Sequence, residues 1–241
     1  MMKFNLKNFE TSPQLYARIA GLFYLLIIIA GAFAEALVRN KLVVYGDATA
    51  TANNIIHSEF LWKIGITADL IMQVCDLPVM ILLYYLLRPV SKKLALLNLS
   101  FNLIQTAVLV GNKLNLLAAL FFLGDADYLK SFSPDQLHTL SYLSIKLHDF
   151  GFGIGLIFFG FVCLIEGYLI YKSGYFPKVF GVLMAIAGLC YLTNTFALIL
   201  FPQLSSIVLL LPCLLAELAL SLWLIFKGVN LPVWKEKLAI S

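Results

Sequence analysis

Six acidic side chains, Glu35, Asp69, Asp76, Asp149, Glu166 and Glu217, fall inside stretches otherwise apolar enough to cross a membrane. A carboxylate at membrane depth costs several kcal/mol unless it faces a partner or a water-filled cavity. Lys113 and His148 share those stretches and add an ammonium and an imidazole. Three kinds of chemistry follow from these residue types. Asp69, Asp76, Glu217 and Lys113 can titrate as a proton relay, which would suit a proton-coupled small-solute transporter. His148, Asp149 and Asp69 can ligate a metal that activates water, which would suit a hydrolase acting on a lipid-like substrate. The same groups can line a pocket that binds a small ligand, a lipid or an ion. The hydrolase is short of histidines, because zinc sites often use two or three and only His148 lies at membrane depth. Neither Gly-x-Ser-x-Gly nor His-Glu-x-x-His occurs, and nothing points to a particular cofactor.

The elements that position these residues must be transmembrane helices. The chain is 61% hydrophobic and 12% charged, with a mean hydropathy of +0.92, whereas soluble domains carry about 25% charged residues. Six segments, approximately 15–38, 61–87, 94–123, 142–171, 179–200 and 207–226, reach the roughly 20 residues needed to span the hydrocarbon core. Lipid-facing backbone must be paired internally, and the alternation of a transmembrane barrel is absent, so the segments are read as helices. The expectation is an all-α polytopic bundle, one transmembrane domain over 1–241, with short interfacial helices in the outer loops. No internal repeat supports an inverted-repeat carrier, although Pro78 and Pro212 could kink the second and sixth helices.

Basic residues gather on alternate sides of the spans. Lys3, Lys7 and Arg18 precede the first helix, Arg88, Lys92 and Lys93 follow the second, Lys172 and Lys178 follow the fourth, and Lys227, Lys235 and Lys237 follow the sixth. Both termini are therefore expected in the cytoplasm, with the protein in the cytoplasmic membrane. The opposite side holds Arg39, Lys41, Lys63 and Lys130 in loops or at helix mouths, with Asp47, Glu59, Asp125, Asp127 and Asp135. The net charge of +4 is a topology signal and gives no reason to invoke nucleic acid. A basic start followed by Ala30-Gly31-Ala32-Phe33-Ala34 also fits a cleaved secretion signal, but removal would leave five spans. Asp47 is placed to cap a short surface helix, and Ser133-Pro134-Asp135-Gln136 reads as a capping box.

Helical phase and depth sort the polar groups. Gly65, Asp69, Gln73 and Asp76 share one stripe of the second helix. Asn98, Asn102, Gln105 and Asn112 share one on the third, with Lys113 beside it, and Asn98 and Asn102 read as a packing seam. Glycines 151 and 155 allow close approach to the fourth helix. By depth, Glu35, Asp69, Asn112, Lys113, His148 and Asp149 belong to an outer polar chamber, and Asp76, Gln105 and Glu217 to its floor at the midplane. Glu166 lies toward the cytoplasmic end, where Lys172 or Lys178 could satisfy it. The four cysteines all fall within helices and form no Cys-x-x-Cys pair, so they read as buried thiols. Membrane lipids are the expected partners; oligomeric state is left open.

Several strings carry a family resemblance: Ala17-Arg18-Ile19-Ala20-Gly21-Leu22-Phe23-Tyr24-Leu25, Tyr45-Gly46-Asp47-Ala48, Phe158-Phe159-Gly160-Phe161, Glu166-Gly167-Tyr168-Leu169-Ile170, Ser173-Gly174-Tyr175-Phe176-Pro177 and Glu217-Leu218-Ala219-Leu220-Ser221-Leu222-Trp223. From about Pro13 to Val229 the chain resembles the bacterial membrane family known as domain of unknown function 4386 (DUF4386). The resemblance implies a prokaryotic integral protein of the cytoplasmic membrane. It supplies no substrate and no catalytic residue.

Overall fold

A computed structural model describes residues 12–240. Lys3 and Lys7 of the orientation argument lie outside the described residues. Among these residues there is no strand, and six helices are long and apolar enough to cross a membrane. They are α1 (Pro13–Leu42), α3 (Glu59–Leu87), α4 (Lys92–Phe122), α5 (Pro134–Ser173), α6 (Lys178–Leu200) and the span Val208–Phe226, whose α-helical part is α7 (Leu211–Phe226). Two shorter helices complete the set, α2 (Ala48–His57) and α8 (Leu231–Ile240). The described residues form two compact units: one takes 12–26, Cys75–Gln105 and 156–240; the other takes Ile27–Val74 and Thr106–Gly155.

The second unit packs around Trp62, with Val38, Ile55, Ile66, Leu116 and Ile145 against it. The buried indole must find an acceptor, and its Nε1 donates to the Leu116 carbonyl at 3.1 Å. Local signals set the short elements. Asp47 accepts from the Ala50 N–H at 2.8 Å and starts α2 as its N-cap. Ser133 and Gln136 bond reciprocally, the Ser133 N–H donating to Gln136 at 2.8 Å, so the expected capping box is present. It opens α5 directly, which makes that helix 40 residues long and starts it eight residues before the apolar run at 142.

The end of α1 departs from regular geometry. Phe33–Arg39 is π-helical, a form frequent at functional sites. The wider turn carries Val38 against Gly65, where a Cβ would lie 2.9 Å from the valine side chain. Arg39 follows inside the helix and is buried, a correction to the expectation that it sits at a mouth or in a loop.

In the first unit α5 and α6 meet backbone to backbone. A Cβ at Gly181 would lie 2.6 Å from the Gly167 carbonyl oxygen, and one at Gly188 would lie 2.6 Å from that of Gly160. Close approach through small residues is how helices associate where lipid removes the hydrophobic drive. The expected seam on α4 also forms at Asn98, whose amide donates to the Val162 carbonyl at 2.8 Å. At the end of α3 the Leu86 carbonyl, in a turn that leaves its oxygens without helical partners, accepts from Tyr175 Oη at 2.7 Å and Trp234 Nε1 at 3.0 Å. Trp234 thereby ties down α8, a helix the apolar-run criterion passes over because it has only ten residues. Pro212 stands in the first turn of α7, where its missing N–H costs nothing, so it does not kink the sixth helix. The Gly181→Val variant is expected to lose about 1–3 kcal/mol through overpacking. Its thermal midpoint in detergent would fall, whereas Gly111→Ala, whose Cβ meets nothing within 4 Å, would match or exceed the unsubstituted protein.

Candidate functional site: a buried charge cluster

Four helices of the second unit bring ionisable side chains together. Arg39 of α1 reaches Asp69 of α3 with two nitrogens, at 2.6 and 3.4 Å. Its Nε donates at 2.7 Å to Glu35, one turn back on α1. Lys113 of α4 places its Nζ 3.1 Å from the same Asp69 oxygen that Arg39 grips. The lysine also contacts His148 of α5, Nζ to Nε2 at 3.2 Å. Asp69, Lys113 and His148 are 1, 2 and 3% exposed, while the Glu35 carboxylate is 44% exposed. The cluster thus runs from membrane depth to an accessible carboxylate. With Glu35 and Asp69 ionised against Arg39 and Lys113, its formal charge is zero.

With Lys113 charged, that contact assigns the imidazole tautomer. An ammonium has donors only, so Nε2 of His148 accepts and the ring proton sits on Nδ1. Nδ1 is buried with no hydrogen-bond partner, and the nearest carboxylate oxygen recorded for it is Asp149 Oδ1 at 3.8 Å. Phe152 closes one side, stacked on His148 with centroids 6.2 Å apart and 5.7 Å below the Lys113 ammonium. Asn112 donates to the His148 carbonyl at 2.9 Å; a Cβ at position 151 would strike its amide, so the glycine there is needed for α4 to approach α5. Around the rim, Lys146 stands 3.8 Å from Asp149 and 4.3 Å above the Tyr45 ring. Burial first, then the negative charge of Asp149 and Glu35, pushes the Tyr45 phenol up to about 12.

Of the residues assigned to the chamber from sequence, Glu35, Asp69, Asn112, Lys113, His148 and Asp149 belong to the second unit. Asp76, Gln105 and Glu217, its expected floor, belong to the first. There Glu217 accepts from Tyr191 at 2.5 Å and is also hydrogen-bonded by Tyr24. Glu166 is buried, its Oε1 has no hydrogen-bond partner, and neither Lys172 nor Lys178 pairs with it. Lys178 lies over the Tyr171 ring instead, at 5.3 Å, which removes the anchoring role expected for Glu166. His148, Asp149 and Asp69 do not form a ligand set. No group of three or more His, Cys, Asp or Glu side chains among the described residues could hold a metal, and Asp69 already serves two cations. All four cysteines are free, three of them buried. A cavity of about 300 Å³ in this unit, lined by Asp125, Leu129, Phe132 and His138 among others, takes in no residue of the cluster.

Arg39 is the member that sequence reasoning missed. Its signal was the Glu35-x-x-x-Arg39 spacing, which puts opposite charges on one helix face.

A family model described as "Domain of unknown function (DUF4386)" matches residues 19–228. An "Uncharacterized protein" of Archaeoglobus fulgidus is 31% identical over 121 residues, 50% of this chain and 59% of that protein. The match therefore spans less than two thirds of the relative. No solved structure matches.

Removing Asp69 strands the buried Lys113 ammonium and leaves Arg39 with Glu35 alone. The Asp69→Asn variant is expected to lose about 3–5 kcal/mol, the usual cost of breaking a buried pair on one side. Pairing Asp69→Leu with Lys113→Leu removes both charges and would recover most of that loss, as read from unfolding midpoints in mixed micelles.

Proposed function

The chain belongs to the DUF4386 family, whose description assigns no activity, and we propose that it is a proton-coupled small-solute carrier of the cytoplasmic membrane. The observation that carries the proposal is the direct contact between Lys113 and His148, with Asp69 on the other side of the ammonium. A proton leaving Lys113 Nζ bonds to His148 Nε2, while the Nδ1 proton leaves toward Asp149, which is part-exposed. The imidazole ends neutral in its other tautomer, the lysine ends neutral, and Asp149 holds the proton. Asp69 then keeps only Arg39 as a charged partner. A small monovalent cation or cationic solute entering there restores the neutrality that Lys113 gave up, so proton loss and solute binding are linked through one carboxylate. Metal-assisted hydrolysis of a lipid-like substrate finds no comparable support, because among the described residues no three His, Cys, Asp or Glu side chains come together to hold a metal.

The orientation proposed for the carrier has both termini in the cytoplasm. Supporting it, the loops around Lys92, Lys93, Lys172 and Lys178 are basic, and those holding Asp47, Asp125, Asp127 and Asp135 are acidic. A membrane-impermeant maleimide applied to intact cells is expected to label Asp127→Cys and to spare Lys93→Cys; the reverse pattern would invert the assignment.

Transport is tested in proteoliposomes holding a pH-sensitive dye, with an imposed Na⁺ or K⁺ gradient. The expected result is cation-driven proton movement that falls at least about a hundredfold in Lys113→Met and in His148→Ala, the range typical for loss of a positioned proton-transfer group. Flux that survives in both variants would remove the relay. Stabilisation by a small ligand without any flux would support a binding protein, and a bound metal lost on His148→Ala would support the hydrolase.

A further inference from the structure

The first unit carries a cavity of about 430 Å³ with no residue of the charge cluster in it. It lies where the turn at 174–177 meets the end of α7 and the link to α8, and Tyr175, Phe176, Trp223, Lys227 and Asn230 are among its walls. The backbone around it is already bonded. Asn230 N–H donates to the Tyr175 carbonyl at 3.0 Å, Trp223 Nε1 to the Gly228 carbonyl at 3.0 Å, and Gln14 bridges the Lys227 carbonyl and the Val229 N–H at 2.6 and 3.1 Å. The walls are therefore held by the fold and need no ligand to shape them.

The Lys227 ammonium is not so provided for. It makes no ion pair with a described residue, whereas Arg39, Lys63, Lys113, Lys130 and Lys146 of the second unit are all paired with carboxylates. In the first unit Arg18, Lys92, Lys93, Lys172, Lys178, Lys227 and Lys235 are exposed, and the sole exposed acid among its described residues is Glu236. Among the described residues seven exposed cations stand against one exposed carboxylate, a surface short of counter-charge. Pro177 and Asn230, both in the cavity wall, precede α6 and α8, so the positive ends of two helices border it as well.

The surroundings select the kind of anion. Phe226, in the last turn of α7 next to Lys227, is 71% exposed, and Leu222 one turn earlier is 37% exposed. An anion with a hydrocarbon tail satisfies both features, its tail lying along α7 and its charged end at Lys227. A free anion satisfies only the second. We propose that this cavity seats the phosphate headgroup of an anionic phospholipid, with Lys227 as its counter-charge. The seat uses no residue of the proton relay and stands or falls separately from it.

Native mass spectrometry of the full chain, released from detergent and titrated with phosphatidylglycerol or phosphatidylcholine, reads the number of bound lipids and their affinity. One phosphatidylglycerol is expected to bind in preference to phosphatidylcholine. Lys227→Gln would weaken it about fivefold, the worth of one basic residue near an anionic lipid surface. Lys227→Arg would retain it, and Lys93→Gln, the same charge loss outside the cavity, would leave it near the unsubstituted value. Equal losses in Lys227→Gln and Lys93→Gln would reduce the effect to diffuse surface attraction and overturn the proposal. So would equal binding of the two lipids. Displacement of the lipid by inorganic phosphate would assign the cavity to a soluble anion and overturn the lipid as its occupant.

Discussion

Asp69 is the group on which the second unit turns. One carboxylate, 1% exposed, accepts from a guanidinium on α1 and an ammonium on α4. Each of those cations would be intolerable in the bundle interior alone, and each is placed by a different helix. Asp69 therefore fixes three helices relative to one another at a single point within the unit. His148 is drawn in as the second partner of the lysine, and the aromatic ring of Phe152 lies beside both.

Such an arrangement is a poor way to gain stability. Buried ion pairs often contribute no more than well-packed hydrophobic residues of similar volume, since desolvation consumes much of the Coulombic gain. Around Trp62 the unit has an apolar core that serves the purpose better. A neutral cluster of four charges with an uncompensated imidazole N–H is instead suited to exchange: charge moves within it, or one cation replaces another, without a net change in buried charge. The first unit shows the opposite condition. Its interior carries Glu166 and Glu217 with tyrosine hydroxyls on the latter, and on its exposed surface basic side chains far outnumber acidic ones among the described residues.

The spans were legible because twenty apolar residues in a row have few physical alternatives. Their ends were less so. α5 begins at Pro134 because the Ser133 capping box runs straight into it, a junction that hydropathy does not register. α8 is held by the Trp234 indole on a distant carbonyl, and its own sequence is too short to announce it. For the candidate site, phase and depth along each helix brought Asp69, Lys113 and His148 to a common level, which is a local property. They could not assign Glu217 or Asp76 to a packing unit, because height on a helix says nothing about which neighbours surround it. Arg39 was hidden for a third reason: a basic residue at the end of an apolar run normally marks the interface, and only the π-helical turn carries this one inward.

That turn has a consequence for sequence length. A π-helical stretch absorbs one residue more per turn than an α-helix. If Phe33–Arg39 relaxed to α geometry, everything after it would rotate by about 100° and shift about 1.5 Å along the axis. Arg39 would leave Asp69 while Glu35 stayed near its place. The ion pair therefore acts as a vernier lock on the register of α1: the surplus residue is retained in the helix for as long as the carboxylate holds the guanidinium. Insertions and deletions between residues 33 and 39 would accordingly be selected on charge pairing, not on how well the segment forms helix.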